Sequence, residues 1–312
     1  MEQIYHTSFC DKSNTYEVRG LCMLLILFHH IYVQLLGMDV NVPYVGMFLA
    51  PGGYLGTGLF FFMSGYGLYY SMSSRKELPY SYLWKRLYKM YSVYVIAFVL
   101  AVFPLVLRNE CGGGAELLNF ITLTIPNTTS WFFKVIVVTY IVTFLVFRSH
   151  MKELFKVGLI VGICILYYII SCNFLPDFWF TSVLCFPIGM IVAYRKNIFS
   201  DKLQLFLAIA FIPLFFKMQG VQVRFITSIM FCFFVLYLIR IIKYKSFVLN
   251  YIGVNSLCFY LFQLALLQNL HDVTSSPFLY SLLVILSVIL MSVLYVKVIQ
   301  PYSNKLYDKL CV

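Results

Sequence analysis

Long apolar stretches broken by short polar connections set the pattern of this chain. Apolar runs of about 17–25 residues can cross the hydrocarbon core of a bilayer as helices. Such runs fall near 19–37, 54–72, 87–107, 131–148, 154–172, 178–195, 203–217, 224–242, 251–270 and 278–299. The seventh is short and contains Pro213, and the tenth ends before Pro301. The pattern predicts an all-α polytopic membrane protein, a single bundle of about ten transmembrane helices. No connection is long enough for a soluble domain, so one domain is expected over 1–312, with no soluble appendage. The longest connection, 108–130, carries Cys111-Gly112-Gly113-Gly114 and then a short apolar stretch at 117–125. That stretch is too short to span and is expected to lie in the interface or dip into the membrane. Residues 1–18 are polar and lead directly into the first run, which reads as a retained signal anchor.

Composition strengthens this reading. Hydrophobic residues make up 62% of the chain and charged residues 11%, with a mean hydropathy of +0.87. A soluble domain carries about 25% charged residues, so lipid must be the solvent for much of this surface. The net charge of +11 would suggest nucleic acid in a soluble chain. Here the basic residues sit between apolar runs, as topology signals do, and no nucleic-acid partner is expected. With both termini placed inside, only Arg108, Lys134, Lys217 and Arg224 fall outside, and the other 19 of the 23 basic residues fall inside. That asymmetry predicts an even number of spans with both termini cytoplasmic. Nine cysteines are scattered without a C-x-x-C pair. Cys111 and Cys172 fall near the same outer face, and their pairing stays open.

The first run holds the most informative side chains. Arg19 and His30 are eleven residues apart, about three helical turns, and so share one side of a helix with a rise of about 16 Å between them. His29 points away from that line by roughly 80°. Arg19 would sit at the cytoplasmic mouth and His30 near mid-membrane. Ionisable groups at that depth face the bundle interior or a wet cavity. Histidine suits proton transfer near neutrality, although a neutral histidine bonded to a neighbouring helix fits the position as well.

These residues carry a resemblance. The first helix, Glu17-Val18-Arg19 through Phe28-His29-His30, resembles the opening of the membrane-bound acyltransferase 3 family, an Arg and a His separated by ten residues. The glycine-led run Gly53-Tyr54-Leu55-Gly56-Thr57-Gly58 through Met63-Ser64-Gly65-Tyr66 is similar to that family's second helix. The cluster Lys85-Arg86-Leu87-Tyr88-Lys89-Met90-Tyr91-Ser92 resembles its basic motif, with Lys89 and Ser92 standing where Arg and Pro are common. Ser130-Trp131-Phe132-Phe133 is similar to its Trp-led segment, followed here by Lys134 and apolar residues. Gly253 to Gln263, with Asn255-Ser256 and Tyr260-Leu261, resembles a late pattern in which a His is common at the Gln263 position. The resemblance runs end to end in helix count and order.

The resemblance implies an O-acyltransferase in the inner or plasma membrane. It would move an acyl group, by default acetyl, from cytosolic acetyl-CoA or another acyl-CoA to a hydroxyl of a surface polysaccharide or lipid-linked sugar. No permanently bound cofactor and no metal is implied, and polysaccharide biosynthesis proteins are possible partners. His30 would act as general base. Arg19, Lys85, Arg86 and Lys89 would attract the phosphates of the donor, although the last three also fit plain positive-inside bias. Ser64, Tyr66, Asn255 and Gln263 are candidates by residue type for the developing oxyanion, and each also fits an ordinary interhelical hydrogen bond. Trp131, and Tyr91 with Tyr94, read as an interfacial aromatic belt, with acceptor-sugar stacking a second reading for Trp131. The glycines serve either close approach of a thioester arm or helix packing. The rival functions are a polytopic transporter or flippase for a glycan or small molecule, and a membrane scaffold. A proton-coupled permease would be expected to carry intramembrane carboxylates, and Glu17 and Asp39 sit at helix ends.

Overall fold

The computed structural model describes residues 12–40, 43–128, 130–195, 201–216, 221–242, 245–271 and 273–310. Lys196, Lys217 and Lys243 of the charge count lie outside these residues. The described chain is helical, without a strand. In chain order the helices are α1 (Lys12–Gly37), α2 (Pro43–Leu49), α3 (Gly52–Ser73), α4 (Tyr80–Leu107), α5 (Gly114–Ile121), α6 (Trp131–Arg148) and α7 (Glu153–Phe174). They continue with α8 (Cys185–Tyr194), α9 (Asp201–Phe216), α10 (Val221–Ile242), α11 (Phe247–Val254), α12 (Ser256–His271), α13 (Pro277–Leu294) and α14 (Gln300–Leu310).

The all-α polytopic architecture is as expected, but the number of full spans is smaller than ten. Among the described residues six helical segments are long and apolar enough to cross a bilayer, and the bent pair α11–α12 makes a seventh if counted as one span. One expected span is shortened. The run at 178–195 forms a short 3-10 turn at Asp177–Trp179 and then only α8, ten residues or about 15 Å of helix. The backbone before α8 makes turn bonds, Val183 N–H to the Phe180 carbonyl at 3.3 Å and Cys185 N–H to the Ser182 carbonyl at 3.1 Å, while the Ser182 hydroxyl donates to the Tyr54 carbonyl at 2.9 Å and accepts from the Thr57 hydroxyl at 3.1 Å. The run at 203–217 is a 16-residue helix with Pro213 inside it, about 24 Å long. The run at 224–242 lies within α10, a helix of 22 residues.

The chain forms two compact units. The first comprises residues 1–25, 51–78 and 141–254. In it α3 packs on α8 and α10, and α9 on α10. Missing side chains permit the closest crossing. A Cβ on Gly65 would collide with the Phe186 carbonyl, and a Cβ on Gly189 with the Phe62 carbonyl. Gly58 faces Ser228 and Cys185. Small residues let helix backbones approach in membranes, so packing is what Gly58 and Gly65 do. At a second contact, a Cβ on Gly20 would strike the Leu249 carbonyl and one on Gly253 the Tyr16 carbonyl. Beside it the Glu17 carboxylate accepts the Ser246 N–H at 2.9 Å, satisfying backbone at the start of α11. An Arg224–Asp177 ion pair joins α10 to the 3-10 turn.

The second unit comprises residues 26–50, 79–140 and 255–312. Here α12 packs against α4 and α13. Asn269 Nδ2 donates to the Leu100 carbonyl at 3.1 Å, and the Tyr280 hydroxyl to the Leu267 carbonyl at 3.0 Å. A π-helical turn, Tyr295–Ile299, links α13 to α14. It seats Tyr295 in the interior, with its hydroxyl 2.8 Å from that of Ser92. The connection at 108–130 dips inward. Phe120, at the end of α5, contacts Tyr91, Tyr94 and Phe98, near the middle of α4. The Tyr94 hydroxyl shares its one proton among the carbonyls of Asn119, Phe120 and Thr124, which lie 3.2–3.3 Å away. Ser130 continues the pattern, donating to the Leu123 carbonyl and accepting the Ile125 N–H. Irregular backbone at membrane depth is tolerated only when satisfied in this way.

Two belt assignments need correction. Tyr94 is fully buried and stacks on Phe133 with ring centroids 5.5 Å apart. Trp131 is also buried, edge-on to Phe132. The inward-folded connection covers Tyr94, and Tyr91 alone of the three is exposed.

Candidate active site

α1 is continuous from Lys12 to Gly37, so the helical spacing expected between Arg19 and His30 holds along it. Arg19 belongs to the first unit and His30 to the second. Arg19 is half-buried, and its guanidinium lies over Gly67 of α3, where a Cβ would sit 3.8 Å from Nη2.

In the second unit His29 and His30 play different parts. The His29 Nδ1–H donates to the Leu49 carbonyl at 3.1 Å. That bond ties α1 to the end of α2 and fixes the proton on Nδ1. The two imidazoles are 5.6 Å apart and tilted by 50°. His30 is half-buried, with Nδ1 shielded and without a hydrogen-bond partner. Gln263 of α12 lies beside its ring. Gln263 is fully buried, and neither its Nε2 nor its Oε1 completes a well-formed hydrogen bond. Sequence reasoning named both residues but could not pair them, since only the packing of distant segments does so.

The other candidates are distributed as follows. Ser64 and Tyr66 are buried on α3 in the first unit, with the Tyr66 ring 5.0 Å from that of Tyr70. Asn255 is buried and sits before α12, where its carbonyl accepts the N–H groups of Cys258 and Phe259. That is the N-cap position, which favours Asn. Trp131 is in the second unit, next to Phe132, whose ring contacts Tyr260 of α12 at 5.2 Å.

Lys85, Arg86 and Lys89 share the first turns of α4. Lys85 and Lys89 are exposed, and Arg86 is half-buried, its guanidinium 4.8 Å from the Tyr82 ring and 5.7 Å from that of Tyr140. Sequence reasoning missed the wall that α14 adds. The Tyr88 hydroxyl donates to the Ser303 carbonyl at 3.0 Å, and the Tyr307 hydroxyl to the Ser81 carbonyl at 3.4 Å. Lys85 lies over the Tyr307 ring. The available signal was the amphipathic run 300–310, with Lys305 and Lys309 among tyrosines.

Comparison with known families decides the class. Residues 18–297 match the family model described as an acyltransferase domain, that of the acyltransferase 3 family. The chain belongs to this family. This membrane acyltransferase therefore carries the family's domain over nearly its whole length, and its apolar helices make it a multi-pass membrane protein. No curated protein matches it, and no solved structure matches it. Arg19 and His30 lie on one unbroken helix inside the matched range. A half-buried imidazole with one shielded nitrogen can take up and return a proton. The exposed ammonium groups of α4 can attract phosphate, and the Arg86 fork can bind it bidentately.

Proposed function

We propose that this acyltransferase moves an acetyl group from cytosolic acetyl-CoA to a hydroxyl of a surface polysaccharide or lipid-linked sugar. His30 is the general base that takes the hydroxyl proton. Arg19, Lys85, Arg86 and Lys89 attract the donor phosphates. The enzyme lies in the inner or plasma membrane with both termini cytoplasmic; counted over ten crossings, with α8, α9 and α10 among them, the 19 to 4 distribution of basic residues supports this orientation. The carrying observation is His30 itself, an ionisable side chain in a span with a shielded, unpartnered nitrogen. Such a group is costly to keep unless it works.

In the reaction the hydroxyl oxygen attacks the thioester carbonyl carbon as His30 accepts its proton. Collapse of the tetrahedral intermediate breaks the C–S bond, and the departing thiolate is protonated from His30, leaving the imidazole neutral for the next cycle. The test is to incubate inside-out membrane vesicles of the producing cell with acetyl-CoA labelled in the acetyl group. Alkali-labile label should enter the lipid or polysaccharide fraction only when the protein is present. Label confined to unreacted donor would refute the reading.

A further inference from the structure

Three buried polar atoms without hydrogen-bond partners among the described residues belong to two adjacent side chains, His30 Nδ1 and the Nε2 and Oε1 of Gln263. α12 can satisfy an amide when nothing else is asked of it. One and a half turns along, Asn269 Nδ2 donates to both the Leu100 and Ala265 carbonyls. Gln263 sits between Phe262 and Leu264 in an interior where leucine would fill the space. An unsatisfied buried polar group is destabilising, and leucine would avoid that penalty. The Oε1 acceptor is complementary to the neighbouring His30 Nδ1–H, and the Nε2–H donor is left for a group that arrives during the reaction.

We infer that Gln263 is a catalytic residue that donates its Nε2–H to the carbonyl oxygen of the donor thioester, while its Oε1 accepts the Nδ1–H of His30. The inference rests on the acyl-transfer reading above. Each half of the amide then has one task. The Oε1 contact holds the proton on Nδ1 and leaves His30 Nε2 as the base. The Nε2–H contact stabilises the charge that builds on the carbonyl oxygen as the acceptor oxygen bonds to the acyl carbon. When the C–S bond breaks the carbonyl re-forms, the His30 proton passes to the thiolate, and the amide is unchanged. A neutral amide suits this place, since a cation would have to be buried unpaired between substrate arrivals. The donor acts on charge present mainly in the transition state, so its effect belongs in kcat rather than KM.

Wild type, His30→Ala and Gln263→Leu should be compared by two measurements. Release of free CoA thiol from acetyl-CoA is followed in membranes that carry the native acceptor, and thermal unfolding is followed in detergent. Gln263→Leu should lower kcat by about 10²–10³-fold with KM for acetyl-CoA within about 2-fold. Its melting temperature should equal or exceed that of wild type, because an unsatisfied amide is gone. A fall in melting temperature together with kcat would make Gln263 a structural group, bonded through a buried water, and overturn the proposal. Retained kcat would overturn it alone. Wild type that releases no more thiol than His30→Ala would remove the acyl-transfer reading and the proposal with it.

Discussion

The Tyr94 hydroxyl donates to the Phe120 carbonyl at 3.2 Å, joining the middle of α4 to the end of α5. The same hydroxyl serves Asn119 and Thr124, so one side chain caps the open end of a helix that folds back along its neighbour. Tyr94→Phe keeps the ring stack on Phe133 and removes only this cap. It should destabilise the protein by about 1–3 kcal/mol. Hydrogen exchange should rise in residues 114–128 and stay unchanged in α12, and uniform exchange across both would contradict the assignment.

Glycine substitutions should divide sharply by position. Gly65→Ala and Gly253→Ala press a methyl group onto the carbonyls of Phe186 and Tyr16, where backbone cannot yield as a side chain can. Each should cost about 1–3 kcal/mol or more and reduce the yield of monodisperse protein. Gly158→Ala and Gly162→Ala on α7 meet nothing within 4 Å and should leave yield and melting temperature unchanged. Size-exclusion profiles of the four variants provide the check.

Hydropathy and period made much of this molecule legible. Arg19 and His30 could be aligned in advance because α1 is regular and unbroken. The glycines at 58 and 65 could be recognised as close-approach positions, though not their targets, Ser228 and Phe186. Hydropathy could not reveal that 178–195 and 251–270 fail to form single straight helices. Ser182 lies in the turn before α8 and Asn255 at the break between α11 and α12, while their apolar neighbours keep the average high. The burial of Tyr94 was hidden for a related reason. An aromatic near the start of an apolar run reads as interfacial unless a returning segment covers it, and the folded 108–130 connection supplies that cover. The approach of Gln263 to His30 depends on how α12 packs within its unit, which no local pattern encodes.

The basic cluster of α4 should separate into two kinds of residue. Lys85→Ala and Lys89→Ala remove exposed charge and should raise KM for acetyl-CoA a few-fold, less so at high salt, with little change in melting temperature. Arg86→Lys keeps charge but loses the planar face set between Tyr82 and Tyr140. It should raise KM and also lower the melting temperature. Initial-rate kinetics at two salt concentrations, paired with melting curves, distinguish these outcomes.

Cysteine labelling tests the orientation. Cys111 and Cys172 are free thiols, half-buried and exposed respectively, and both lie on the proposed outer side. A membrane-impermeant maleimide should label both in intact cells. Local desolvation and the carboxylates of Glu116 and Glu110 raise the Cys111 thiol pKa, so less thiolate is present at neutral pH. Its labelling should be slow at pH 7 and quicken as pH rises. Labelling confined to broken membranes would reverse the orientation.

The central claim is that His30 moves the proton in acyl transfer, and its most direct test is the rate of labelled acetyl transfer in vesicles carrying equal amounts of wild-type and His30→Ala protein. General-base catalysis by a positioned side chain contributes about 10²–10⁴-fold, so the variant should lose at least 10²-fold in kcat while inserting and melting as wild type does. Transfer at the wild-type rate by the His30→Ala protein would contradict the account.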